Sequence, residues 1–312
     1  MSLSVPVVFI VFNRPDLTER VFEAIARAKP KKLLIIADGP RLPEEIERCQ
    51  KARAVIEKID WECKVLKNYS ELNLGCGRRV STGLDWVFSQ VDEAIILEDD
   101  CLPAPSFFHF CQTLLERYKH DERIMHISGD NFQFGQSKTD YSYYFSKYAH
   151  NWGWATWQRA WKHFDFDMLT WPEFKKKNMM GFVCEDSYEQ DYWTMIYDRS
   201  FEGAINAWAH RWQYACWYQN GLSVLPNSNL VSNIGFRSDA THTTMKGSPI
   251  AELPTEDIWE TRHPPFVVRL ADADAYTFDY VFGGKRMREN DTLRGKIRHC
   301  LSAIKRKAKL RR

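Results

Sequence analysis

Three consecutive acidic residues at the end of an apolar run are the clearest chemical feature of this sequence. The run occupies residues 94–97 and stops at Glu98, Asp99 and Asp100. An apolar run of this length bounded by turn residues is typical of a buried strand. Neighbouring carboxylates repel one another unless a cation lies among them, and a divalent cation shared with substrate phosphates suits such a position. The alternative is a solvated acidic turn.

Two more polar residues follow apolar runs near the start of the chain. Arg14 comes after the run at residues 5–12, and Asp38 ends the run at residues 33–37. A guanidinium can pair bidentately with a phosphate, although a surface arginine is the alternative. Asp38 can accept a hydrogen bond from a nucleobase imide, or it can be a simple turn aspartate.

The order of apolar runs and amphipathic segments predicts an α/β protein with a mostly parallel sheet flanked by helices. Strands are predicted at 5–12, 33–37, 64–66, 94–97 and 124–128, and helices at 17–29, 44–59, 78–88 and 107–118. Ligands of such sheets bind beyond the carboxyl ends of the strands. We therefore expect Arg14, Asp38 and the acidic run to converge.

Other enzyme classes lack support. The sequence contains no P-loop motif, no G-x-G-x-x-G and no G-x-S-x-G, which argues against P-loop NTPases, dinucleotide enzymes and α/β-hydrolases. The eight cysteines include no C-x-x-C pair, so a zinc site has no support either.

Tryptophan is concentrated in the second half, where nine of the twelve lie between Trp152 and Trp217. The first four follow one another closely at a spacing that predicts a helix. Their number indicates a large aromatic core. A sugar-stacking platform is the functional alternative.

Four segments together resemble the GT-A-fold glycosyltransferases. They are residues 6–14 (PVVFIVFNR), 35–38 (IIAD), 73–75 (NLG) and 95–108 (IILEDDCLPAPSFF). Within that fold the chain is most similar to the N-acetylglucosaminyltransferase I type and to bacterial family-2-like relatives labelled hemolytic-protein-like. The resemblance covers most of residues 5–245. It implies the GT-A nucleotide-diphospho-sugar transferase fold, with a nucleotide-sugar-binding half at 1–130 and an aromatic-rich acceptor half at 131–284.

The resemblance also implies roles for the residues above. Arg14 would contact the donor diphosphate, Asp38 would read uracil, and Asp100 would bind Mn²⁺ or Mg²⁺, with Glu98 and Asp99 near the nucleotide. Residues 151–154 (NWGW) resemble an acceptor-side Gly-Trp turn, and 226–243 resemble a segment that closes over the donor. His242 in that segment is a candidate metal or phosphate contact, with a structural or exposed histidine as the alternative.

The catalytic base is where the chain departs from the family. The aspartate expected after a tryptophan is replaced by Ala209, within the run 208–212 (WAHRW). Three explanations compete: His210 is the base, a carboxylate of 185–191 such as Asp191 reaches the site, or the chain has lost turnover.

We therefore predict a metal-dependent, inverting glycosyltransferase that moves a sugar from a nucleotide-diphosphate donor, expected to be UDP-linked, to a bacterial glycan or lipid-linked acceptor. The alternatives are a nucleotidyltransferase on a similar sheet and a catalytically silent glycan-binding protein with the same fold.

The charge is unevenly distributed. Residues 285–312 contain twelve Lys and Arg against Glu289 and Asp291, whereas the chain as a whole carries +2. Apolar residues recur at helical spacing within this tail, which predicts a basic amphipathic helix for an anionic membrane surface. A solvated or self-packed terminal helix is the alternative. Nucleic-acid binding is not expected, because no base-reading module accompanies the tail. With no signal peptide and no apolar run long enough to span a bilayer, we expect a cytoplasmic protein held peripherally at the membrane.

Overall fold

A computed structural model describes residues 3–236 and 248–292. The strands are β1 Val7–Val11, β2 Lys32–Ala37, β3 Lys64–Tyr69, β4 Glu93–Glu98, β5 Cys101–Pro103, β6 Ile124–Ser128, β7 Tyr143–Ser146, β8 Trp154–Trp157, β9 Leu222–Pro226 and β10 Val231–Asn233. The α-helices are α1 Pro15–Ala28, α2 Ile46–Ala54, α3 Gly75–Phe88, α4 Phe107–Arg117, α5 Gln158–Trp161, α6 Trp171–Lys176, α7 Met180–Val183, α8 Ser187–Phe201, α9 Trp208–Tyr218, α10 Ala271–Tyr280 and α11 Gly284–Asp291. Two short 3₁₀ helices, Pro43–Glu45 and Val55–Lys58, flank α2.

Eight strands form one sheet in the order β3-β2-β1-β4-β8-β6-β9-β7. Strands β3, β2, β1 and β4 pair in parallel, as do β6 and β9, whereas β8 and β7 run antiparallel to their neighbours. The predicted fold class, an α/β protein with a mostly parallel sheet flanked by helices, is confirmed. The sheet contains strands from both predicted halves of the chain; the boundaries of those halves stay a prediction.

Both faces of the central strands are covered, which is why β1 is buried along its whole length. Val7, Phe9 and Val11 share a hydrophobic cluster with apolar residues of α1 and α4. Val8 and Ile10 belong to a second cluster with residues of α3 and α9 on the opposite face. The result is a three-layer arrangement in which helices cover both faces of the central strands.

The tryptophans pack differently from the predicted helix. Trp154 and Trp157 lie on strand β8, and Trp161 ends the short helix α5 that follows. A strand buried on both faces lacks the alternation of polar and apolar residues that marks a half-exposed strand. The spacing of these tryptophans therefore does not distinguish such a strand from a helix. Eight of the nine clustered tryptophans are buried, consistent with the aromatic core; Trp152 is partly exposed.

A small second sheet fixes the segment after the acidic run. Strand β5 pairs antiparallel with β10, with Cys101 opposite Asn233 and Pro103 opposite Val231. This pairing brings residues 231–236, at the start of the predicted closing segment, against the acidic residues.

Among the described residues, no helix is both long enough and apolar enough to cross a membrane. Most of the predicted basic amphipathic tail, residues 293–312, lies outside the described residues, as does His242.

Candidate active site

The strands β1 and β4 bring Arg14 to the acidic run. They are parallel neighbours with Ile10 opposite Glu98, so the residues after each strand emerge at the same edge of the sheet. The Arg14 guanidinium donates from Nη2 to Asp99 Oδ1, and its Nη1 lies 3.0 Å from Asp100 Oδ2. All three side chains are largely buried. The predicted convergence of an arginine with the acidic run is therefore present as a two-carboxylate bridge.

Local structure explains why Arg14 is held there. It precedes Pro15, the first residue of α1, and Pro is favoured at that position. Its carbonyl accepts hydrogen bonds from both the backbone amide and the hydroxyl of Thr18. The backbone of Arg14 is thus part of the helix start, which directs its side chain across the strand ends.

A pocket of about 670 Å³ opens at this edge of the sheet. Arg14, Asp38, Glu98, Asp99 and Asp100 all line it. Another part of the wall comes from residues 205–207 and the first turn of α9, which includes Trp208 and His210. The volume is within the range of pockets that hold small-molecule ligands.

Burial shapes the electrostatics of the acidic run. It raises the pKa of Glu98 to about 8, with a further contribution from the charges of Asp100 and Asp99. Burial also raises the pKa of Asp99 to about 6, although the positive charge of Arg14 opposes the rise. Burial disfavours the charge of Arg14, but the two aspartates outweigh it and raise the arginine's pKa. The pocket therefore concentrates the carboxylates of the acidic run around the Arg14 guanidinium.

Asp38 lines the pocket but its carboxylate is also occupied by the protein. Oδ1 accepts from the backbone amides of Gly39 and Leu74 at 3.0 and 2.9 Å. Oδ2 accepts from the amide of Gly75 and the side chain of Asn73 at 3.0 and 3.1 Å. Asp38 thus caps the amino end of α3, where a negative charge is favourable. That it reads a nucleobase stays a prediction.

Gly235, two residues after strand β10 of the small second sheet, packs closely against Asp100. A Cβ placed on Gly235 would lie 2.2 Å from Asp100 Oδ2 and 2.7 Å from Asp100 Cβ. The amide of Ile234 donates to the Asp100 carbonyl at 2.8 Å. The side chain of Asp100 is therefore positioned from one side by Arg14 and from the other by the backbone at Gly235.

The carboxylate of Asp100 is compatible with a hard divalent cation that takes most of its ligands from the substrate and from water. Within residues 3–236 and 248–292, no group of three or more His, Cys, Asp or Glu side chains is arranged to hold a metal ion by itself. Mg²⁺ in nucleotide sites is commonly held by only one or two carboxylates, together with substrate phosphates and water. Asp100, on the pocket wall, fits that pattern as a single carboxylate ligand.

The two described candidates for the catalytic base lie in different places. His210 is on α9, partly buried, and lines the pocket beside Trp208. Its ring centroid lies 6.2 Å from that of Trp193 at an angle of 74°. Asp191 is on α8, exposed, and is not among the residues that line the pocket.

Several residues of the pocket wall were assigned no role in the site by the sequence analysis. Trp208 donates a hydrogen bond to Glu98, and Asn206 packs against the first turn of α3, where its Oδ1 would lie 2.1 Å from a Cβ on Gly77. Arg79 is buried and donates to the carbonyl oxygens of Ala37 and Asn68, fixing the ends of β2 and β3. An arginine inside the apolar face of a predicted helix was the only signal available for the last of these.

The fold and the pocket define an α/β protein with an arginine- and carboxylate-lined site at the carboxyl edge of its parallel strands. No family model and no curated protein matches the chain. Solved structures to which it is similar include UDP-glucose pyrophosphorylase complexed with UDP-glucose, at 11% identity over 51% of this chain and 70% of that chain, with a TM-score of 0.27. Another is 4-diphosphocytidyl-2C-methyl-D-erythritol synthase from Anaerococcus prevotii, at 9% identity over 50% of this chain and 72% of that chain, with a TM-score of 0.31. Since both scores are below 0.5, our description of the fold rests on the sheet topology.

Proposed function

We propose that this protein is a glycosyltransferase that uses a nucleotide-diphosphate sugar, expected to be UDP-linked, and a bacterial glycan or lipid-linked acceptor. The observation that carries the proposal is the bridge from Arg14 to Asp99 and Asp100 within a pocket that His210 also lines. A fixed cation beside carboxylates suits a diphosphate bound with a divalent cation. A partly buried histidine on the wall of the same pocket suits proton transfer.

Arg14 is the proposed contact for the diphosphate, since a guanidinium presents paired N–H donors to phosphate oxygens. Asp100 is the proposed protein ligand of Mn²⁺ or Mg²⁺; His242, outside the described residues, remains a candidate for a second. A bound divalent cation would stabilise the negative charge that develops on the departing diphosphate. Glu98 and Asp99 are proposed to lie next to the nucleotide.

His210 is the base that the geometry favours, because it lines the pocket and Asp191 does not. In the proposed step, the acceptor hydroxyl oxygen attacks the anomeric carbon of the donor. The bond from that carbon to the diphosphate oxygen breaks with its electron pair, and the hydroxyl proton passes to His210. The products are the glycoside of inverted configuration and the nucleoside diphosphate. Histidine is among the commonest general bases in enzymes.

Product analysis tests the proposal. The purified protein is incubated with Mn²⁺ and a panel of UDP-sugars, and in parallel with nucleoside triphosphates and sugar 1-phosphates. Release of nucleoside diphosphate from the UDP-sugars supports a glycosyltransferase, because slow donor hydrolysis accompanies transfer. Release of pyrophosphate in the second reaction would instead identify a nucleotidyltransferase. Saturable donor or glycan binding without either product would identify a silent binding protein.

A further inference from the structure

Two tyrosines on α10, one partly buried (Tyr276) and one exposed (Tyr280), are flanked by lysines. The rings of Tyr276 and Tyr280 lie 4.3 Å apart between centroids at 33°, and Tyr280 is 47% exposed. Lys138 Nζ lies 4.6 Å from the Tyr276 ring centroid, and Lys285 Nζ lies 5.5 Å from that of Tyr280. Together with Phe134, whose ring lies 6.5 Å from Tyr276, these residues form what we call the aromatic–lysine surface.

This surface is built on a rigid support. Gln133, which is buried, donates from its side chain to the Ala273 carbonyl at 3.1 Å and to the Thr277 hydroxyl at 2.9 Å, tying the loop after β6 to α10. Gln136 donates to the Tyr276 hydroxyl at 2.9 Å. The backbone amide of Lys138 donates to the Asn227 side chain at 3.2 Å. The loop after β6, the Tyr276 ring and the backbone at Lys138 are therefore held against one another.

The surface has a defined position relative to the pocket. Its loop follows the carboxyl end of β6, and β6 runs in the same direction as β4 because both are antiparallel to β8. The acidic run follows the carboxyl end of β4. The loop that carries Phe134 and Lys138 and the acidic run that lines the pocket therefore emerge at the same edge of the large sheet.

The surface is also continuous in sequence with the most basic part of the chain. Lys285 and Arg286 are exposed on α11, immediately after α10, and nine further Lys and Arg follow within residues 293–312, where there is no acid. Tyrosine is enriched at the boundary between water and lipid, and lysine can extend its charge to the head groups while its stem contacts apolar groups. Clusters of basic residues beside such a surface favour anionic lipid.

We propose that the aromatic–lysine surface is a docking site for an anionic lipid bilayer. This inference deepens the proposed function and rests on it for the lipid-linked acceptor. Docking at this surface would bring the edge of the sheet that carries the pocket towards the membrane that holds such an acceptor. A glycan platform of stacked tyrosines is the competing use of the same rings. The nine Lys and Arg of residues 293–312 favour the bilayer, because a neutral glycan gains nothing from positive charge.

Vesicle sedimentation of the full chain tests the proposal. Vesicles of phosphatidylcholine, with and without phosphatidylglycerol, are used in the absence of donor and acceptor. The wild-type protein is expected to sediment with the anionic vesicles only. Lys138→Glu and Lys285→Glu should each lower the partition coefficient at least about fivefold, as expected for the loss of one cation near the surface. Tyr280→Ser should lower it as well.

Two matched controls show whether the loss of vesicle binding depends on where the ring or charge lies, or only on the type of residue that is changed. Trp259→Ser removes an aromatic ring that is 59% exposed, in a segment whose neighbour Ile258 bonds to Ser106. Lys176→Glu reverses an exposed charge on α6. Both should sediment like the wild type, and thermal unfolding of all variants should match. If the surface variants sediment as well as the controls do, or if they lose only retention on immobilised glycan, the proposal is wrong. A protein that fails to bind vesicles can still turn over its donor. The docking proposal and the proposed glycosyltransferase activity can therefore fail separately.

Discussion

The guanidinium of Arg14 bridges two carboxylates of the acidic run, with Nη1 3.0 Å from Asp100 Oδ2 and Nη2 bonded to Asp99. This bridge joins the ends of β1 and β4, and it places a permanent cation where the proposed diphosphate binds. In the proposed complex, a diphosphate and the two aspartates would share one guanidinium, whose planar fork can contact them together.

Arg14→Lys should weaken donor binding while the fold survives. Lysine keeps the charge but offers a single point of contact, so we expect UDP affinity to fall by about 10- to 100-fold, the equivalent of one or two charged hydrogen bonds. Isothermal titration with UDP measures the change. Arg41→Lys is the matched control, because Arg41 lines the same pocket but is half-exposed and bonded to Glu45. Equal affinities of the two variants would contradict the role of Arg14.

Asp38→Ala should lower the free energy of unfolding by about 2 kcal/mol, because it leaves the amides of Leu74 and Gly75 without their carboxylate cap. Chemical denaturation measures this loss, with Asp60→Ala at an exposed aspartate as the control. If Asp38 also reads the nucleobase, UDP affinity should fall at temperatures where the variant is fully folded. A variant as stable as the control would refute the capping role.

His210→Gln should slow sugar transfer about 10²- to 10⁴-fold with little change in donor affinity, since glutamine can hydrogen bond but cannot accept the proton. Asp191→Asn, on the exposed face of α8, should transfer at close to the wild-type rate. Single-turnover rates at saturating donor separate chemistry from binding. The opposite ranking of the two variants would identify Asp191 or a neighbour as the base.

His126 should make the protein less stable in acid. Its ring is buried and its Nε2 contacts the His150 carbonyl oxygen at 2.6 Å, while Nδ1 accepts from Trp212. Burial lowers its pKa to about 3, so between about pH 6.5 and 3 the unfolded chain binds a proton that the folded one does not. Stability contributed by the neutral ring is therefore lost as pH falls through this window.

The test compares the wild type with His126→Gln, which keeps a donor and an acceptor but does not titrate. The unfolding free energy of the wild type relative to the variant should fall by about 1.4 kcal/mol per pH unit between pH 6 and 4. Other titrating groups, such as Asp274 and Asp130, contribute to both proteins and cancel in this difference. A difference independent of pH would show that His126 titrates normally.

The parts of the site that could be predicted from sequence are those encoded locally. A short buried strand with Arg14, or with Asp99 and Asp100, within three residues of its end identifies a strand end, and parallel strands bring such ends together. The role of Asp38 could not be predicted in the same way. Its donors Leu74 and Gly75 lie beyond β3 in the chain, and only the folded arrangement of β2 against α3 brings them to it.

The aromatic half shows where sequence periodicity is insufficient. Trp154 and Trp157 are three residues apart, a spacing shared by helices and by fully buried strands, and only their pairing with β4 and β6 decides between the two. Gly235 gave no signal of its own, since its importance comes from the absence of a Cβ beside Asp100. Close approaches of this kind depend on tertiary packing.

The most direct test of the account is the Mn²⁺ dependence of donor binding by the wild type and by Asp100→Asn. The amide keeps the shape of the carboxylate and can still accept a hydrogen bond from Arg14, but it removes the charge that would hold the cation. Titration of UDP-N-acetylglucosamine and UDP-glucose with Mn²⁺ or with chelator, alongside Asp60→Asn as the control, gives the comparison. We predict Mn²⁺-dependent binding by the wild type and the control that is lost in Asp100→Asn, with unchanged thermal unfolding. Equal, Mn²⁺-dependent binding by all three proteins would contradict the account.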